Sequence, residues 1–114
     1  MLRLLGAVLE RDGYDVRTAC DLATVKHAAL ATRVGLILSD IDLPNSTGLE
    51  LCLWAKAQPD LAHVPVLLCS GRDYPETRRL ALEAGAVDFL AKPFVVAELS
   101  ERIRFHLRAA AEGQ

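Results

Sequence analysis

Three short apolar runs, each ending abruptly in a polar residue, constrain this chain more than any other feature of it. Gly35-Leu36-Ile37-Leu38-Ser39 stops at Asp40, Val64 to Cys69 stops at Ser70-Gly71, and Val87 to Ala91 stops at Lys92-Pro93. The run before Asp40 barely alternates between apolar and polar residues, and Val64 to Cys69 repeats that pattern. Alternation marks a strand covered on one face, and its loss marks a strand buried on both. Between the runs lie segments of helical character. Ser46 with Leu49, Cys52 and Leu53 suggests a helix ending before Pro59, and Pro75 begins another that Gly85 stops. Strands joined through helices require parallel crossovers, and a parallel sheet flanked by helices is a layered α/β fold.

The flanking sequence extends the same pattern. Leu2, Leu5 and Leu9, joined by Leu4 and Val8, predict a helix over residues 2–11 that Asp12-Gly13 stops. Tyr14, Val16 and Thr18 alternate with Asp15 and Arg17, which predicts a half-buried strand near an edge over 14–19. Asp21 is placed to cap a second helix running through Leu30. Val95, Val96, Leu99, Ile103, His106 and Leu107 form one stripe of a last helix, after which Ala109 to Gln114 reads as a tail or the start of a linker. The expected division is one domain over 1–108, with 109–114 leading out of it. A length of 114 residues suits one domain, and an apolar fraction of 52% supplies its core.

Charge and cysteine content narrow the function. Lys+Arg 13 against Asp+Glu 15 gives a formal net charge of -2, which argues against a dedicated nucleic-acid or anionic-membrane surface. No apolar run has the length of a membrane span, and the N-terminus does not resemble a signal peptide. Cys20, Cys52 and Cys69 lack metal-site spacing and lie in apolar runs, which predicts reduced core thiols and a cytoplasmic protein.

In a parallel sheet the residues that end the strands share one edge, where open α/β sheets place their sites. Asp40, Ser70 and Lys92 therefore converge. A carboxylate there can accept a phosphoryl group, a hydroxyl can donate to a phosphoryl oxygen, and an ammonium can neutralise its charge. Singly, each residue has a plain structural reading as turn, cap or sheet-edge lysine. Their joint placement is what points to chemistry. A hard cation such as Mg²⁺ would want further oxygen ligands beside them.

These motifs resemble the receiver domains of bacterial response regulators in two-component signalling, the CheY-like superfamily. GLILSDIDLPNSTG, from Gly35 to Gly48, is similar to the family's phosphoacceptor segment, with Asp40, a proline four residues on at Pro44 and a glycine eight residues on at Gly48. VPVLLCSGRD places Ser70 at the family's Ser/Thr position, and EAGAVDFLAKPF supplies Gly-Ala, an aromatic at Phe89 and the Lys92-Pro93 pair. The similarity runs from Leu2 to about Leu107. It implies a doubly wound parallel sheet of the flavodoxin-like (βα)5 type, with strand order 2-1-3-4-5. It further implies Asp40 as phosphoacceptor and metal ligand, with Mg²⁺ also held by the backbone carbonyl of Asp42. The remaining implied roles are Ser70 as the phosphoryl hydrogen-bond donor, Lys92 as its charge partner, Phe89 as the switch aromatic and a cis peptide before Pro93. The implied partner is a histidine kinase or histidine phosphotransfer protein. The surface remodelled on phosphorylation is formed by the fold's fourth helix, fifth strand and fifth helix, which would also serve a homodimer.

Two departures qualify that resemblance. The family's first strand and the acidic pair at its end have no counterpart, because residue 1 falls within the first helix. Glu10 and Asp12 lie near the far end of that helix and cannot replace the pair. Mg²⁺ binding is therefore expected for the complete domain and weak or absent in this chain. The smaller departure is Thr47, where the family often has Asp. The missing strand is the central one of the family order, and its loss would leave strand edges unsatisfied. The expectation is that upstream residues supply it. The alternatives are a partner or strand exchange within a dimer filling the slot, or a sheet closed up in a changed order. The competing function is a degenerate receiver serving as a phosphorylation-independent interaction or dimerisation module, and a flavin-binding α/β protein is a poor third. As a signalling domain the chain is not expected to be an enzyme in the ordinary sense.

Overall fold

In the computed structural model, residues 22–31, 34–43, 46–71 and 74–112 are described. The helix expected over 2–11, the strand over 14–19, Cys20 and Asp21 lie outside them, as do Pro44 and the contact that would decide between family order and a closed-up sheet. The described elements are α1 (Leu22–Ala31), β1 (Ile37–Asp40), β2 (Asp42–Leu43), β3 (Ser46–Thr47), α2 (Gly48–Ala57), β4 (Val66–Ser70), α3 (Pro75–Glu83), β5 (Asp88–Ala91) and α4 (Val96–Glu112).

The three apolar runs form one parallel sheet in the order β1-β4-β5. This is the third-fourth-fifth strand part of the doubly wound order, with helices as crossovers. Each strand starts one or two residues later than its apolar run, and two of the three polar terminators, Asp40 and Ser70, are the last strand residues themselves. β4 is buried along its whole length, as its unbroken apolar run predicts. Its residues alternate between two cores. Val66 and Leu68 join Leu51, Cys52, Ala55, Ala81 and Phe89 on one face. Leu67 and Cys69 join Leu90, Leu99 and Ile103 on the other.

The helices obey local rules. Thr47 caps α2, its hydroxyl accepting from the Glu50 N–H at 3.1 Å, so the residue that departs from the family pattern has a structural task. Leu53, expected on the buried stripe of that helix, faces outward, while Leu51 and Cys52 are buried. At the end of α3, the Gly85 N–H donates to Leu82 and the Ala86 N–H to Ala81. This is a Schellman turn, and it needs Gly85 at φ +107. The last helix runs to Glu112, so helical backbone covers 109–112, where the sequence reading begins a tail. Among the described residues no helix is long and apolar enough to cross a membrane.

Candidate functional site

Backbone pairing sets the site. The Ile41 N–H donates to the Cys69 carbonyl at 2.9 Å and the Lys92 N–H to the Ser70 carbonyl at 2.8 Å, extending both ladders past the last strand residues. Asp40 is thereby level with Cys69, and Ser70 with Ala91. Beyond Asp40 the chain turns into the short antiparallel hairpin β2–β3, in which Asp42 pairs with Thr47. The hairpin closes where the Gly48 N–H donates to the Ile41 carbonyl at 2.7 Å. A Cβ on Gly48 would lie 2.4 Å from the Asp40 carbonyl oxygen, so a close backbone approach demands glycine there.

Asp40 and Lys92 stand two strands apart, about 10 Å by ordinary strand spacing, with β4 between them. The lysine crosses that gap, and its Nζ donates to Asp40 Oδ2 in an ion pair. Both side chains are partly exposed, at 24% and 31%. Ser70 ends the strand that the pair crosses and is fully buried. Lys92 precedes Pro93 through a cis peptide, as the resemblance implies. Asp40, Ser70 and Lys92 are thus brought to one end of the sheet. Phe89 is not at that end. It lies within the core beneath α3, 6% exposed, with the Arg78 guanidinium over its ring.

Cys69 is level with Asp40 on the neighbouring strand, and its Sγ donates to the Ser39 carbonyl at 3.6 Å. Burial pushes its thiol up to about 11, the Asp40 carboxylate adds to the rise, and Lys92 opposes it. Burial likewise raises the Cys52 thiol, against the nearby Lys56 cation. Both cysteines are free and buried, as expected.

Among the described residues no group of three or more His, Cys, Asp or Glu side chains is placed to hold a metal ion. Asp40, already paired with Lys92, and the Asp42 backbone do not by themselves meet the demand of Mg²⁺ for near-octahedral oxygen ligation.

A second polar cluster escaped the sequence reading, which assigned His106 to an apolar stripe. At the start of β5, Asp88 receives Arg102 Nη1 at 2.7 Å on both carboxylate oxygens, His106 Nε2 lies 2.9 Å from Oδ2, and the Phe89 N–H donates to Oδ1 at 2.8 Å. Burial opposes ionisation of Asp88, but the hydrogen bonds from Arg102, His106 and the Phe89 N–H more than offset it and hold the carboxyl below its ordinary value. The same bond to Asp88 raises the Arg102 pKa. The available signal was the spacing of Arg102 and His106, one helical turn apart and so on one face. The cluster lies at the opposite end of β5 from Lys92 and ties α4 to the sheet.

Comparison with known proteins follows the same lines. The family model for the response regulator receiver domain matches residues 1–104. The transcriptional regulatory protein GltR of Pseudomonas aeruginosa is 35% identical over 107 residues, covering 94% of this chain and 44% of that protein. The chain therefore spans less than half the length of this relative. A CheY-like receiver domain protein from Methanospirillum hungatei superposes with a TM-score of 0.91 at 26% identity, covering 99% of this chain and 89% of that one. The receiver domain of a sensor histidine kinase from Pseudomonas aeruginosa, solved with a magnesium ion coordinated in its active-site cleft, gives 0.84 at 29% identity over 93% of this chain and 87% of that one.

Proposed function

The chain belongs to the response regulator receiver domain family, and from that premise we propose that it accepts a phosphoryl group on Asp40 from a histidine kinase or histidine phosphotransfer protein. The observation that carries this reading is the Lys92–Asp40 ion pair bridging the end of β4 above the buried Ser70. In the reaction an Asp40 oxygen attacks phosphorus, an O–P bond forms as the donor's N–P bond breaks, and the departing imidazole takes up a proton. Lys92 is already in place to follow the charge from the carboxylate to a phosphoryl oxygen. The Ser70 hydroxyl donates to another phosphoryl oxygen, and Phe89 adjusts behind it. The face of α3, β5 and α4 then carries the change to a partner or to a second copy of the chain. Residues 1–108 act as the receiver unit, 109–114 lead out of it, and the work is done in the cytoplasm.

The ion pair also favours a second reading, in which Lys92 permanently neutralises Asp40 and the domain serves as an interaction module. Incubation with acetyl phosphate and Mg²⁺, followed by intact-mass measurement, separates the two. The first reading expects an acid-stable, base-labile gain of one phosphoryl group that disappears in Asp40→Asn. No gain, in this chain or in a longer natural form of it, leaves the interaction module.

A further inference from the structure

Small side chains seat α3 on the sheet. Ala81 is its fully buried residue and Ala84 adds a methyl at its end, while Leu80 and Leu82 are exposed. Apolar stabilisation scales with area, so two alanines hold a helix far less firmly than two leucines would. One turn before Ala81, on the same row of the helix, stands Arg78. Its guanidinium carbon is 5.0 Å from the centre of the Phe89 ring, within the range of a cation over an aromatic face. Phe89 shares its core cluster with Ala81 and Ala84.

We propose that Arg78 is the positioning residue for Phe89. Its guanidinium roofs the ring, so the ring's place in the core and the docking of α3 form one coupled element. This inference rests on the reading of Phe89 as the switch aromatic for its meaning, though not for its geometry. The flat, weakly hydrated guanidinium is suited to the task, and the compact, strongly hydrated ammonium of lysine is not. With Arg78 stacked, displacement of the ring forfeits the stacking and disturbs a helix whose Ala81 and Ala84 lie in the same core cluster. The movement that follows phosphorylation at Asp40 would then reach α3 through Arg78.

Labelling with 4-fluorophenylalanine tests this in the whole chain, because Phe89, Phe94 and Phe105 are its only phenylalanines. Phe→Leu variants at 94 and 105 assign the fluorine signals. The Phe89 signal is expected to show almost no shift between H₂O and D₂O, with exposed Phe105 as the internal reference. Arg78→Met should raise the Phe89 solvent shift to at least half that of Phe105 and leave the other two signals in place. Arg78→Lys should fall between. An unchanged Phe89 signal in Arg78→Met overturns the proposal, as does a joint movement of all three signals. If Arg78→Met does not fold, an unchanged Phe89 signal in Arg78→Lys overturns it instead. Phosphorylation of the unsubstituted chain is the separate arm. A Phe89 signal that responds to Arg78→Met but not to phosphorylation defeats the switch reading and leaves the positioning role intact.

Discussion

Asp88 and Asp40 each meet a basic side chain at the edge of the same sheet, yet they are held in different ways. Asp88 has both oxygens engaged, by Arg102, by His106 and by the Phe89 backbone. Arginine presents a rigid set of donors that fixes a carboxylate. Asp40 is met through Oδ2 by the ammonium of Lys92, a point charge on a flexible stem that has crossed a whole strand to reach it. The first arrangement suits a clamp between β5 and α4. The second leaves a carboxylate whose partner can move with its charge. The choice of cation thus separates a carboxylate that holds structure from one suited to reaction.

The largest expected effect comes from the backbone beneath Asp40. Gly48→Ala places a methyl against the Asp40 carbonyl, with the Leu68 side chain at 3.0 Å closing the other direction. Relief requires a backbone shift, and a loss of about 3 kcal/mol is expected in urea unfolding. An unchanged midpoint would show that the acceptor end is not limited by this contact. Next in size is the contrast between the two aspartates. Asp88→Ala leaves the partly buried His106 and Arg102 without their acceptor and should cost about 2 kcal/mol. Asp40→Ala removes a partly exposed ion pair and should stay within about 0.5 kcal/mol. Equal losses would end the distinction between clamp and reactive site.

How far the sequence revealed this follows from what kind of signal each feature leaves. The strand ends were legible because a strand in a covered parallel sheet writes a mostly apolar run, and that run stops at a polar residue whether the residue ends partly exposed, as Asp40 and Lys92 do, or buried, as Ser70 does. Asp40, Ser70 and Lys92 were therefore visible with no structure. The strand starts were less so, since Gly35, Leu36, Val64 and Pro65 extend the runs ahead of the first paired strand residues, with only the Pro65 carbonyl, accepting from the Ile37 N–H at 3.0 Å, reaching into the ladder. The hairpin at 42–47 was hidden because two-residue strands have no periodicity. The Asp88 cluster was hidden because an i, i+4 pair on a helix looks the same whether it faces water or a distant strand. Only the packing of α4 on the sheet, which sets Arg102 and His106 against Asp88, decides between them.

Acid should expose the clamp. The carboxyl of Asp88 titrates below its ordinary value of 3.8 in the folded chain. Its contribution is therefore fully present above that value and is lost as pH falls through the lower, native one. Unfolding measured down through this window should show a steeper loss in the unsubstituted chain than in Asp88→Asn. Parallel curves for the two would mean that the hydrogen bonds at Asp88 do not discriminate between its charged and neutral forms.

The smallest effect is also the most selective, because Cys69 senses only one of the two pairs. Its thiol is level with Asp40, which raises its pKa, and near Lys92, which lowers it. Thiol reagents attack the thiolate, so the alkaline rate of alkylation at Cys69 follows the charge on that pair. Asp40→Asn removes the raising charge and should speed the reaction a few-fold. Lys92→Gln removes the lowering charge and should slow it. Arg102→Gln, which disrupts the clamp at the other end of β5, should leave the rate alone. The opposite signs distinguish electrostatics from loosened packing, since loosening would expose the thiol and speed alkylation in every variant. Acceleration in Lys92→Gln would therefore mean that Lys92 holds the end of the sheet together, and the contrast with Arg102 would fail at the residue on which it depends.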